Sequence, residues 1–227
     1  MATTYAHSSD GYVTRYNQAS WADARNGVSG TGASSTTNGQ SYAAAGYRAA
    51  ARGGGYVFSV YRSFMRFDTS GISTNVDSAT LKIYGFGSSG GDLIVVKATS
   101  DISSLGTADF DSIVGWNAAS ADGSGGGDME SSVTKYSSEI TSWSTSGYND
   151  ITLNAQALAD MRDDSTLYIC FLNFDYDLKD VAPTGSASHR NGMYYEGYTG
   201  TSRDPYVDYT LAAVTAADNA VFFGTNF

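Results

Sequence analysis

The chain has 227 residues, enough for one sizeable β domain with a core of its own. Its net charge is −10 and its 13 basic residues are scattered, which argues against an electrostatic grip on nucleic acid or on anionic lipid. Charged residues make up only 16% while Gly (26) and Tyr (17) are abundant, a composition that favours strands and tight turns over helices.

In chain order, residues 10–16 read as a short strand. In residues 21–25, Trp21, Asp23 and Arg25 alternate with Ala22 and Ala24, again a strand pattern. Residues 26–40 are a Gly/Ser/Thr loop, residues 42–47 a small-residue strand, and Arg52-Gly53-Gly54-Gly55 a turn. The longest predicted strand covers residues 56–67, rich in aromatic and branched side chains. In residues 76–84, Ala79, Leu81 and Ile83 alternate with Thr80, Lys82 and Tyr84, the pattern of a half-buried strand. Residues 93–97 are more uniformly apolar.

Residues 101–143 contain few periodic runs. A structureless loop of that length is unusual in a compact domain, so partial order is expected, anchored by Phe110, Ile113, Trp116, Val133, Ile140 and Trp143. After a short strand at residues 151–153, Asn154 reads as the N-cap of a helix over residues 155–161. Strands follow at residues 166–174, 192–195 and 205–211. Core candidates are Phe58, Phe64, Phe67, Leu81, Ile83, Val95, Ile169 and Phe171. The expected architecture is an all-β, jelly-roll-like antiparallel β-sandwich with one or two short helices over residues 1–211. Residues 212–227 form a C-terminal extension.

The chemistry-bearing residues are few. The single cysteine, Cys170, permits no disulfide within the chain, and its apolar neighbours read as a buried core position. HExxH and P-loop patterns are absent from the sequence, and the one GxSxG string, Gly87-Ser88-Ser89-Gly90-Gly91, lies in the turn between two predicted strands rather than in a strand-to-helix nucleophile elbow. Two carboxylates across a cleft can hydrolyse a glycosidic bond, but with 23 acidic residues some pair always qualifies. Asp175, Asp177 and Asp180 are spaced to share a strand face or a loop, where they could hold Ca²⁺ with backbone carbonyls, or simply form a solvated strand end. Asp122, Asp128 and Glu130 do not fit the spacing of an EF-hand loop.

Arg62 and Arg66 share one face of the long apolar strand, with Asp68 beside them. They read as a structural ion pair or hydrogen-bond hub at a sheet edge, or as an anion contact. Tyr56, Tyr61, Tyr194, Tyr195 and Tyr198 could stack on sugar rings, although aromatic residues also simply suit strands. Of these, Tyr194, Tyr195 and Tyr198 are the ligand-binding candidates. Residues 212–227 carry Phe222, Phe223 and Phe227 with Asp218 as their only charge, a tail that either folds back on its own sandwich or packs on a sister subunit or larger assembly.

The run Tyr61-Arg62-Ser63-Phe64-Met65-Arg66-Phe67-Asp68-Thr69-Ser70-Gly71-Ile72, followed by Val76-Asp77-Ser78-Ala79-Thr80-Leu81-Lys82-Ile83-Tyr84, resembles the signature of DNRLRE-type domains, relatives of the disaggregatase-related carbohydrate-binding modules. The resemblance implies a jelly-roll sandwich serving as an accessory surface or carbohydrate-binding module. Three further phrases resemble tailed-phage versions: Asp109–Trp116, Tyr148–Asn154 and Ser202-Arg203-Asp204-Pro205-Tyr206.

The start Met1-Ala2-Thr3-Thr4-Tyr5 lacks the basic residues and apolar core of a signal peptide. No apolar stretch approaches the roughly 20 residues that span a bilayer. The expectation is therefore a non-enzymatic virion structural protein: a capsid decoration, head-fibre knob or tail appendage with a glycan-binding role. Its expected partners are itself, as a homo-oligomer, other virion proteins and a cell-surface glycan, with no nucleic acid and no membrane. A free carbohydrate-binding module or surface adhesin is the alternative, and a polysaccharide-degrading enzyme stands third.

Overall fold

In the computed structural model, eleven strands among the described residues pair antiparallel into one sheet that curls over on itself. Residues 1–35, 45–53, 55–116, 128–197 and 200–213 are described. In chain order the strands are β1 (Ala2–Tyr5), β2 (Gly11–Gln18), β3 (Gly32–Ser35), β4 (Ala45–Arg52), β5 (Gly55–Asp68), β6 (Val76–Ser88), β7 (Leu93–Lys97), β8 (Tyr148–Thr152), β9 (Thr166–Asn173), β10 (Ala187–Met193) and β11 (Tyr206–Leu211). Three α-helices accompany them: α1 (Trp21–Arg25), α2 (Met129–Ser132) and α3 (Ala155–Asp163).

The curl makes a sandwich. One layer runs β1-β11-β6-β8. The other is built on β5, which pairs with β4 along residues 55–61, with β9 along 63–68 and with β2 along 58–64. β4 and β9 thus share one edge of β5, β7 lies beyond β9, and β3 lies beyond β2. β10 links the layers, because it pairs with β4 and with the last residues of β6.

The β5 layer is buried on both faces, which explains its sequence. Met65, Phe67, Leu93, Val95, Leu167, Ile169 and Phe171 face the other layer and meet Ala79, Leu81, Ile83, Ile151 and Val207 across the sandwich. Phe64, Ile94, Val96, Cys170 and Leu172 face outward into a second core, roofed by Trp21, Ala24, Ile102, Phe110, Ile113, Trp116, Met129 and Val133. A strand covered on both sides reads as a continuous apolar run rather than an alternation. The β6 layer has one wet face, and its alternation is clean.

The anchors expected in residues 101–143 all pack on these two cores. Residues 134–140 extend the β5 layer at β7, with Leu93 and Ile140 exchanging two backbone hydrogen bonds of 3.0 and 2.8 Å. Helix α3 starts where Asn154 predicts, its side chain accepting from the Ala157 N–H at 3.1 Å.

Four expectations are corrected: the described residues hold three α-helices rather than one or two, and three local readings change. Residues 21–25 are helix, because Ser20 caps the turn by accepting from the Asp23 N–H and the buried set Trp21, Ala24, Arg25 follows a helical period rather than alternation. Part of the Gly/Ser/Thr segment is an edge strand, β3, paired to β2. Phe58 is only half-buried, packing edge-on against Trp21.

Candidate functional site

The most conspicuous polar group in the interior is Arg62. It stands at the centre of the β5 layer, among apolar neighbours, with no solvent exposure. Its Nε and Nη2 grip the Asp177 carboxylate at 2.9 and 2.7 Å, and the remaining donors reach the Phe110 and Arg25 carbonyls at 2.8 and 3.0 Å. The guanidinium also lies 4.1 Å from the Phe110 ring centre and 4.5 Å from that of Trp116. Arg25 completes the node: its Nε donates to the Asp177 carbonyl at 2.6 Å and its Nη1 lies 3.4 Å from Asp180. Burial pulls the Arg25 guanidinium down from its ordinary value, and Asp177 and Asp180 oppose that pull.

This arrangement places the sequence-predicted residues differently from the reading above. Arg62 is a hub at the sheet centre, not at an edge. Arg66 shares its face but lies at the end of the sandwich, where its Nη2 meets the His7 ring. Asp68 pairs with neither arginine and accepts from the Ser70 N–H at 2.9 Å in the following turn.

The proposed calcium set Asp175, Asp177, Asp180 does not converge. Residues 174–178 form a π-turn instead of a strand, so Asp177 turns inward to Arg62. Asp180 accepts from the Trp21 indole at 3.0 Å, and Asp175 faces Lys179 at 3.3 Å. Asp175 instead joins Asp92 and Glu139, whose carboxylate oxygens all lie within 4.8 Å of one another. Desolvation and the neighbouring Asp92 push Glu139 up from its usual range. This trio sits at the surface with Lys179 alongside.

Tyr194 and Tyr195 do not form a platform together, because neighbours in extended chain point to opposite faces. Tyr195 is sealed in the core with its hydroxyl 2.7 Å from Ser63 Oγ. Tyr198 lies outside the described residues, as do Phe222, Phe223 and Phe227.

Tyr194 belongs instead to an aromatic strip that the sequence reading missed. The strip crosses the wet face of the β6 layer. Tyr5 lies 5.6 Å from Tyr206, Tyr206 is 5.2 Å from Tyr148, and Tyr148 is 5.2 Å from Tyr84. Tyr194 then bridges Tyr84 at 5.5 Å to Phe86 at 5.2 Å. Tyr5 is 55% exposed and Tyr84, Phe86, Tyr148 and Tyr206 are half-buried, whereas Tyr194 is itself buried at 4% exposure and braces the strip rather than presenting a ring to a ligand. The rings are braced from behind and from the side: Tyr148 donates to the Ser202 and Asp204 carbonyls at 3.2 Å, and Tyr84 to the Ser146 carbonyl at 2.8 Å. Arg203 lies over Tyr84 and Tyr194 and donates to the Tyr194 hydroxyl at 2.7 Å. Beside the rings stand the polar pairs Lys82–Asp150 at 2.5 Å and Thr3–Asp208 at 2.6 Å. The signal was present in the polar half of the β6 alternation, where Lys82, Tyr84 and Phe86 share a face with partners from three other strands.

A groove of about 470 Å³ between residues 137–142 and 149–154 is lined by Ser, Thr, Asn and acidic residues together with Ile140, Ile151 and Leu153, with no aromatic ring. At the end of the sandwich, burial pushes the Asp10 carboxyl up to about 8; Glu196 and Asp204 push the same way, and the Glu196 N–H opposes them. No family model matches the chain and no curated protein is similar to it in sequence.

Proposed function

We propose that the chain is a non-catalytic surface-display domain, a structural protein on the exterior of a tailed-phage virion, which contacts cell-surface glycan through the aromatic strip of the β6 layer. The strip is the observation that carries the glycan reading. Its rings lie on a sheet face, with Tyr148 held in place by hydrogen bonds from its hydroxyl to the Ser202 and Asp204 carbonyls. Aromatic faces pack against the C–H faces of sugars, while Lys82, Asp150 and Asp208 offer hydroxyl-binding groups at the margin. The virion setting rests on the resemblance of residues 61–84 and of the three phage-like phrases, an argument from analogy.

The chemistry of the interior supports a binding rather than a catalytic role. The most deeply buried acid, Asp177, is neutralised by two arginines, and burial pushes the Cys170 thiol well above its ordinary value, away from the reactive thiolate.

The test pairs a glycan array with affinity electrophoresis for the wild type and for Tyr5→Ala/Tyr206→Ala. Retention of an acidic or neutral polysaccharide by the wild type, at least tenfold weakened in the variant with its thermal midpoint preserved, supports the reading. Undiminished binding by the variant, or turnover of the polysaccharide, overturns it. Mass spectrometry and immunogold labelling of purified particles test the location. Glycan binding without particle association would favour the free-module alternative.

A further inference from the structure

The aromatic strip does not stop at Phe86. Gly192 of β10 stands opposite Phe86 in the ladder, and a Cβ added there would meet the Phe86 ring at 3.0 Å, so the ring lies over that glycine. Residues two apart on a strand share a face, which puts Arg190 next along β10. Phe86 and Arg190 line one hollow of about 190 Å³, together with residues 87–89 and Gly192.

From Arg190 the same face continues across β4 onto β5. Arg190 and Tyr61 stand on either side of Gly46 in the register, and the Arg190 guanidinium lies 5.5 Å from the Tyr61 ring centre. Two positions along β4, Arg48 stands opposite Ser188 and Ser59. It is therefore the diagonal neighbour of both Arg190 and Tyr61, at a backbone spacing of about 7–8 Å. Tyr61 is only 7% exposed, yet it packs in neither of the two apolar cores. Burial raises its hydroxyl above the ordinary value, and Arg190 and Arg48 oppose that rise.

This face is basic, in a chain whose net charge is −10. β2, β4 and β10 contain no Asp or Glu, and β5 has only Asp68 at its far end. Elsewhere on the surface Lys82, Lys97, Arg162 and Lys179 each face a carboxylate. No ion pair among the described residues includes Arg48 or Arg190. Arg48 is exposed, and Arg190 commits only its Nε, to Ser188 Oγ at 3.0 Å. At physiological ionic strength the screening length is about 8 Å, so an anion at this place meets the two arginines rather than the net charge.

A guanidinium fork matches the oxygens of a carboxylate or a sulfate, and the Tyr61 hydroxyl is a further donor. We propose that Arg48, Arg190 and Tyr61 bind the oxyanion of an acidic sugar, a uronate carboxylate or a sulfate ester, so that the glycan lying on the aromatic strip is an acidic polysaccharide. This inference deepens the glycan reading above and rests on it. The rings of the strip take the C–H faces of the sugars, and the arginines at its end select the charge.

The experiment runs the full chain in affinity electrophoresis through polygalacturonate, dextran sulfate and neutral dextran. Wild type, Arg48→Gln/Arg190→Gln and Tyr5→Ala/Tyr206→Ala are compared. The wild type should be retained at least tenfold more strongly by one acidic polymer than by dextran. Polygalacturonate would mark a carboxylate ligand, and dextran sulfate a sulfate ester. Arg48→Gln/Arg190→Gln should lose that preference while keeping its thermal midpoint. Titration of the wild type with glucuronate and with inorganic sulfate, followed by NMR at the Arg48 and Arg190 Nε–Hε resonances, reads the anion site without the strip and without a variant. Retention that ignores the acid, lost in Tyr5→Ala/Tyr206→Ala and kept in Arg48→Gln/Arg190→Gln, overturns the anion site and leaves the strip reading standing. Arginine shifts in a protein that retains no polysaccharide uphold the anion site and remove the strip reading. Neither shifts nor retention overturns both.

Discussion

Replacing Asp177 by Ala isolates the contribution of the interior node. The carboxylate takes two short hydrogen bonds from Arg62 and lies 3.8 Å from Arg25 Nε, and both arginine side chains are fully buried. Without it, two guanidinium groups remain in the second core with carbonyls and rings around them. Among the described residues the ion pair left to Arg25 is with Asp180, 3.4 Å away and 46% exposed, and Asp128 acts on it more weakly. Removing one partner of such a buried pair costs about 3–5 kcal/mol, a large share of the roughly 5–15 kcal/mol that stabilises a typical domain. For a chain of this size that corresponds to a fall in the thermal midpoint of roughly 6–20 °C.

Urea unfolding followed by tryptophan fluorescence is the assay, since Trp21 and Trp116 border the node. Replacing both partners, Arg62→Met with Asp177→Leu, should recover part of the loss, because the uncompensated Arg62 charge leaves with its partner. Arg25 still keeps its contact with Asp180. A loss below about 1 kcal/mol in Asp177→Ala, or a double variant no better than the single one, would refute the account of the node as a neutralised buried pair.

Two further outcomes test local packing. Asn154→Ala should cost about 1 kcal/mol in urea unfolding, because the side chain both caps α3 and donates to the Lys135 carbonyl at 2.8 Å; an unchanged midpoint would show that the cap is idle. Gly115→Ala should destabilise by about 1–3 kcal/mol, since φ is +87° there and a Cβ would stand 2.1 Å from the Ser132 carbonyl oxygen. A neutral result at Gly115 would mean that the 112–116 and 132–134 segments are free to move apart.

Much of the strand framework was legible because local chemistry and tertiary role agree. In β6, one face meets the core and the other meets water, so Ala79, Leu81 and Ile83 declare themselves by alternation. In β5, β7 and β9 the run of apolar residues is long enough to mark a central position. Asn154 announces α3 because an N-cap acts within one turn of chain. The short helix α1 was missed, because five residues in which Trp21, Asp23 and Arg25 alternate with two alanines fit either period. The Ser20 cap and the roof position over the second core together decide between them.

The sites were less legible, and for one physical reason: charge pairing and ring stacking act between residues far apart in the chain. From spacing alone, Asp177 belongs with Asp175 and Asp180. The fold instead gives it Arg62, 115 positions away, because a π-turn points it inward where an arginine already needs neutralising. Tyr5, Tyr84, Tyr148 and Tyr206 are unremarked single tyrosines until β1, β6, β8 and β11 are laid side by side. Asp10 and Asp204 are ordinary acids in the sequence, and folding buries both. The sequence by itself determined most of the longer strands and which of their faces are apolar, since both depend on neighbours two to four residues away. Which polar groups meet was decided only when the sheet curled, because burial and long-range pairing are properties of the closed sandwich.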